Sequence, residues 1–157
     1  MEKKRYRKAA EMLDTALDEH AVTPYYGFFN KAVCFESLGE PDESLVWYRK
    51  ALDQKPGDPD ALTGAGKCLY RMGAYEQSES YFLQAIEANA STGVACNDLG
   101  VLCFVQGRFE EARDWFLKAL ENDPGNADAL YNIADTYEEL GDTGEAAKYR
   151  SLMSRSV

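Results

Sequence analysis

The 157-residue sequence predicts an all-α fold, a solenoid of stacked antiparallel helix hairpins, and three observations carry that prediction. Gly39, Gly73, Gly107 and Gly141 stand at intervals of 34 residues. The stretches "GEPDESLVWYRKALDQKPGD", "GAYEQSESYFLQAIEANAST" and "GRFEEARDWFLKALENDPGN", each opening on one of these glycines, restate one amphipathic helix. On both sides of each glycine the apolar residues recur with a period of about 3.6, so every unit holds two helices. The glycine between them suits a helix stop, because it tolerates left-handed backbone dihedrals.

Taken in order, residues 1–24 hold a single helix, an N-terminal cap or half repeat. Its core "YRKAAEMLDTAL" (6–17) places Ala9, Leu13 and Ala16 as a second helix of the repeat would. One extra residue separates it from the next unit, and no first helix of its own precedes it. It is expected to be either a capping helix or the end of a longer array. Residues 25–58, 59–92 and 93–126 are full repeats, and residues 127–157 are a C-terminal repeat with a polar capping helix. Pro41 fits the first turn of a helix, where its missing N–H costs nothing. "KPGDPD" and "NDPGNAD" close two units with proline–glycine turns. The total is nine helices in one domain.

The first helices present one packing face: Leu62, Ala65, Gly66 and Leu69 in the second repeat, then Cys96, Leu99, Gly100 and Cys103, then Leu130, Ile133, Ala134 and Tyr137. In the second helices a small residue (Ser44, Ser78, Ala112, Ala146) is followed four places on by a ring (Tyr48, Phe82, Phe116). Alanine comes three places later (Ala51, Ala85, Ala119). Small residues let helix axes approach, and the ring fills the space beside them.

This register resembles the tetratricopeptide repeat, a 34-residue helix–turn–helix unit. Leu99-Gly100, Ala112, Phe116, Ala119 and Pro124 carry most of the signature, and the resemblance runs from about Tyr6 to Met153. It implies a right-handed superhelix. The signature tryptophan is missing, Lys31 replaces a leucine and Ala90 replaces the closing proline. In the last repeat Arg150 stands at the ring place and Met153 at the alanine place, which suits a solvent-facing end.

Composition and motifs narrow the function. A net charge of −10, from 27 acids and 17 bases, opposes nonspecific nucleic-acid binding, which needs cationic surface. Lys3, Lys4, Arg5, Arg7 and Lys8 form one local basic cluster on the first turns of a helix. No apolar run approaches the ~20 residues of a membrane span, and no hydrophobic segment follows the basic start as a signal peptide requires. Four cysteines without a secretion signal point to reduced thiols and a cytoplasmic location. The sequon Asn89-Ala90-Ser91 then carries no meaning.

"TGAGKC" (63–68) imitates a phosphate loop, but Ala61 stands where that loop needs glycine and Cys68 where it needs serine or threonine. Cys34, Cys68, Cys96 and Cys103 lack metal-ligand spacing, and His20, the one histidine, ends a helix. The four thiols read as small buried hydrophobes. The acid pairs Glu110-Glu111 and Glu138-Glu139 read as solvated helix faces. No enzyme, metal or cofactor is expected.

The resemblance implies that the first helices line a concave groove for a partner segment. By register, its places are Tyr26, Phe29, Asn30, Val33, Glu36 and Ser37, then Asp60, Thr63, Gly64, Lys67, Tyr70 and Arg71. Val94, Asn97, Asp98, Val101, Phe104 and Val105 follow, then Asp128, Tyr131, Asn132, Asp135, Glu138 and Glu139. Five aromatics and four valines among these 24 places are many for a face without packing duty, and seven acids against two bases make it negative towards its C-terminal end. The expected partner is another protein, a peptide or helix with an apolar anchor and Lys or Arg at one end. The clamp by which some family members hold acidic chaperone tails lacks its cations here. Its places fall on Phe29, Val33, Gly64, Val94 and Asp98 or, one repeat later, on Thr63, Lys67, Asp98, Asp128 and Asn132. A monomer is expected. The competing reading is a structural subunit whose ends self-associate, with Tyr25, Phe28 and Phe35 near a bare first face.

Overall fold

The computed structural model describes residues 2–89 and 93–154; Ala90 and Ser91, and with them the closing-proline place and part of the sequon, lie outside. Among the described residues there are nine helices and no strand. They are α1 (Glu2–Asp18), α2 (Pro24–Leu38), α3 (Pro41–Gln54), α4 (Pro59–Arg71), α5 (Tyr75–Ala88), α6 (Gly93–Val105), α7 (Phe109–Asn122), α8 (Ala127–Glu139) and α9 (Thr143–Met153). The chain forms two compact units, Met1–Ala88 with α1–α5 and Asn89–Val157 with α6–α9. Within each unit, consecutive helices pack as neighbours, and the first helices also touch pairwise, α2 with α4 and α6 with α8. No described helix is long and apolar enough to cross a membrane.

The repeated glycines do what their spacing predicts. Gly39, Gly73, Gly107 and Gly141 have φ of 79°, 77°, 74° and 81°. At each, its N–H and that of the following residue bond back to carbonyls of the ending helix, as Gly39 does to Glu36 and Glu40 to Phe35. That pair of bonds satisfies carbonyls which would otherwise lack partners. Proline opens α2, α3 and α4, and Asp58, Asn126 and Asp142 cap α4, α8 and α9 with side-chain oxygens.

The small–ring–small register of the second helices forms the core. Ser44, Ser78, Ala112 and Ala146 are buried, as are Tyr48, Phe82, Phe116, Ala51, Ala85 and Ala119. The two serines use their hydroxyls across the contact: Ser44 Oγ donates to the Ala32 carbonyl at 2.9 Å and Ser78 Oγ to that of Gly66 at 2.8 Å. Phe82 lies on Gly66 and Phe116 on Gly100 so closely that a Cβ at either glycine would sit 2.6 Å from a ring carbon. Cys68, Cys96 and Cys103 belong to this packing, with Cys34 near it.

Lys31, in the leucine place, is only 4% exposed. Its ammonium is ion-paired with Asp14 of α1 and sits 3.7 Å from the centre of the Trp47 ring. A buried charge is tolerated where a carboxylate and an aromatic face replace water. One expectation is corrected here. Thr63 and Gly64 are buried, Gly64 beneath the Tyr48 ring, so neither is a groove place. Tyr25 and Phe28 are half-buried: Tyr25 stacks on Phe29 at 5.9 Å, and Phe28 packs beside Trp47 at 5.8 Å.

Candidate partner-binding surface

In the first unit the α2–α4 face is tied together by Glu36. The Tyr48 hydroxyl donates to Glu36 Oε2 at 2.8 Å, Lys67 Nζ lies 3.8 Å from Oε1, and Arg71 donates to the Glu36 carbonyl at 3.4 Å. Burial, with the Glu36 charge beside it, pushes the Tyr48 hydroxyl far above the ordinary tyrosine range, which keeps it a donor. Tyr26, Asn30, Val33 and Arg71 are exposed, while Phe29, Lys67 and Tyr70 are half-buried. Phe29 packs edge-on against Tyr48 and Tyr70 beside Tyr75. Glu36, Lys67 and Arg71 of this face are therefore already committed within the chain.

In the second unit the α6–α8 face is open. Val101, Phe104 and Phe116 floor a pocket of about 60 Å3 whose rim is Asn132 and Asp135. Asn132 Nδ2 donates to Asn97 Oδ1 at 3.1 Å, which fixes two amides at the rim. Phe104 is braced edge-on against Phe109 at 5.3 Å. Tyr131 and Val105 are about half exposed, at 49% and 50%, and Asn97 and Asp98 are half-buried. Asp128, Glu138 and Glu139 stand exposed at the helix ends.

Two participants were not read from the sequence as part of this surface. Phe116 reaches the pocket from α7, where its repeat place marked it only as core. Arg150 of α9 lies 2.8 Å from Asp135 and 2.9 Å from Glu138, with its guanidinium 6.0 Å from the Tyr131 ring centre. The signal was present: a cation at the ring place, four residues after the small Ala146, had to leave the core, and the acids of α8 are its nearest counter-charges. Arg150 brings one positive charge to the four acids Asp128, Asp135, Glu138 and Glu139, so this end of the face stays negative.

The thiols give no reactive centre. Burial pushes those of Cys34, Cys68 and Cys96 above the usual range, and Cys103 receives a hydrogen bond from Arg108 at 2.9 Å. His20 takes a left-handed φ of 56° just past α1 and closes the helix through its own N–H.

A family model described as tetratricopeptide repeat matches residues 1–59 and 63–127, and a second of the same description matches residues 115–148. The chain belongs to the tetratricopeptide repeat family. A search of curated protein sequences returns no match. Among solved structures, a crystal structure of MamA is similar at TM-score 0.85 and 18% identity, over 98% of this chain and 90% of that one. YrrB, a TPR protein with an unusual peptide-binding site, is similar at TM-score 0.74 and 22% identity, over 98% of this chain and 78% of that one. The first TPR of Spaghetti (RPAP3), bound to the HSP90 peptide SRMEEVD, gives TM-score 0.72 and 24% identity, over 75% and 94%. At these identities the likeness shows the fold: the tetratricopeptide repeat solenoid expected from the register.

Proposed function

We propose that the chain is a non-enzymatic, cytoplasmic scaffold, one domain over residues 1–157, that holds a peptide or helix of another protein against the α6–α8 face. One observation carries this reading: an open pocket with a floor of Val101, Phe104 and Phe116 and a rim of Asn132 and Asp135. The floor takes an apolar anchor, and the Asn97–Asn132 pair offers an amide to a partner backbone. Asp128, Glu139 and the Arg150-linked acids favour Lys or Arg next to the anchor. That two similar structures, YrrB and the RPAP3 domain, are described with a peptide site or a bound peptide supports the class of ligand. The acids on α8 support a partner of opposite charge to the SRMEEVD peptide.

A displayed library of random peptides, selected on the whole protein, tests this. Selected peptides should share an aromatic or aliphatic anchor beside Lys or Arg. Phe104→Ala should weaken them by about 2 kcal/mol, roughly 30-fold, mainly through faster dissociation. Glu138→Gln with Glu139→Gln should slow association, with an effect that fades as salt is added. Acidic selected peptides, or peptides indifferent to Phe104→Ala, would reject the reading.

A further inference from the structure

Three second helices, α3, α5 and α7, have their small–large–small face covered by the helix before each. Ser44, Tyr48 and Ala51 of α3 pack under α2, Ser78, Phe82 and Ala85 of α5 under α4, and Ala112, Phe116 and Ala119 of α7 under α6. In α1 the same places are Ala9, Leu13 and Ala16, and among the described residues no helix lies on them. Together with Met12, and with Asn30, Val33 and Cys34 of α2, they line an open groove of about 460 Å3. Met12 is 63% exposed, a large apolar side chain left in water. Among the described residues this groove is left open in the first unit.

We propose that a second copy of this chain fills the groove with its own α1, the two α1 helices running antiparallel about a two-fold axis. The seam is a palindrome, Ala9-x-x-Met12-Leu13-x-x-Ala16. A two-fold axis passing between Met12 and Leu13 sets Ala9 across from Ala16 of the second copy, and Met12 across from its Leu13. Each small residue then lets the axes approach while the large ones interdigitate, as an isologous interface requires.

The charges of α1 have the same antisymmetry. Its first half carries Lys3, Lys4, Arg5, Arg7 and Lys8 against the single acid Glu2, while Glu11, Asp14, Asp18 and Glu19 follow with no base among residues 9–19. Arg7 is held by Glu40 and Asp14 by Lys31 within the chain, so those pairs are already made. Arg5 and Lys8, both exposed, lie within a turn of Ala9, and the exposed Asp18 and Glu19 lie within a turn of Ala16. The antiparallel arrangement sets these bases against these acids twice over; a parallel arrangement would set base on base.

Where α3 turns Leu45 and Leu52 to the next first helix, α9 has Ala147 and Ser154 at the corresponding places. The self-complementary seam of α1 favours a closed pair over an open fibre.

Sedimentation of the whole chain tests the pairing. The wild type should move from monomer to dimer as concentration rises to roughly 100 μM. Met12→Asp should be monomeric with unchanged helicity and melting, since the side chain is exposed. The doubles Arg5→Glu with Lys8→Glu and Asp18→Lys with Glu19→Lys should each be monomeric alone, because each sets like charges against one another at the places that flank the seam. Mixed in equal amounts they should form a heterodimer, because opposite signs then meet at both ends. Phe104→Ala should dimerise like the wild type, which separates this result from any failure of the peptide reading. A wild type that stays monomeric, doubles that dimerise alone, or a mixture that stays monomeric would each overturn the proposal.

Discussion

Two repeats apart, 68 residues from Gly39 to Gly107, the same five places build a closed knot in one unit and an open pocket in the other. Val33, Glu36, Tyr48, Gly64 and Lys67 of the first unit correspond to Val101, Phe104, Phe116, Asn132 and Asp135 of the second. In the first unit the Tyr48 ring closes onto Gly64, and its hydroxyl and Lys67 both meet Glu36. In the second, Phe104 and Phe116 have no polar atoms with which to close the gap. Asn132, which carries a side chain where Gly64 has none, bonds to Asn97 instead. The lesson is that backbone repetition leaves the site undecided. A handful of substitutions determines whether a place in this scaffold is a plug or a socket.

Putting the second unit's residue into the first is the harshest way to break this comparison. Gly64→Asn places a Cβ 2.3 Å from the Tyr48 ring, which is itself buried and cannot step aside cheaply. The expected cost is about 3 kcal/mol, the upper end for overpacking, and it should appear as a lower urea midpoint. An unchanged midpoint would mean that the knot is loose and that the contrast with the pocket is overdrawn.

How much of this was legible beforehand differs by level. The helix stops at Gly39, Gly73, Gly107 and Gly141 were readable because a left-handed cap leaves a specific residue type at a fixed interval. The core pairs Phe82–Gly66 and Phe116–Gly100 were readable because close approach demands small residues opposite rings. The burial of Lys31 was not, because its compensation by Asp14 and Trp47 depends on how α1 and α3 meet α2, which one helix's periodicity does not encode. Thr63 and Gly64 misled for a related reason. Three-and-four spacing puts them on the groove side of α4, but the ring that covers Gly64 comes from α3. The candidate site was therefore readable as a face, and the pocket within it only once the rings from neighbouring helices were placed.

A milder contrast lies at the helix starts, where Asp58 and Asn126 occupy equivalent places. Asp58 accepts the Ala61 N–H at 3.1 Å and Asn126 the Ala129 N–H at 2.9 Å, so both cap. Only Asp58 is charged, and it is also 2.5 Å from Lys55 Nζ. Burial alone would raise its carboxyl, but the bonds from Lys55, Ala61 and Tyr25 outweigh this and hold it below the ordinary range. A group lowered in the folded state stabilises above its unfolded value, about 3.9, and loses that contribution as pH falls towards the folded value. Asp58→Asn should keep the cap and cost about 1 kcal/mol at neutral pH, from the lost charge-assisted bonds. The gap to wild type should close as the solution is acidified below the ordinary aspartate range. A gap that persists unchanged in acid would show that Asp58 acts as a cap alone, no different from Asn126.

The smallest effect isolates the hydroxyl that turns the ring of the first unit into a tie. Tyr48→Phe gives α3 the side chain that α7 already has at Phe116, and it removes only the 2.8 Å bond to Glu36. Glu36 stays partly exposed and keeps Lys67 nearby, so water can serve the vacated oxygen. The expected loss is therefore about 0.5–1 kcal/mol, well short of the cost of stranding a fully buried acceptor. Alkaline titration gives a second, independent reading. The hydroxyl is raised in the folded state, chiefly by burial, so its contribution is complete below the unfolded tyrosine value, about 10, and is lost as pH rises beyond it. Tyr25 is raised as well, but it is present in both proteins and cancels in the difference. The stability gap between wild type and Tyr48→Phe should thus hold steady through neutral pH and shrink above that value. If it instead widened in alkali, the hydroxyl would be ionising more readily inside the fold than outside. The Tyr48–Glu36 bond could not then be what closes the first unit's face.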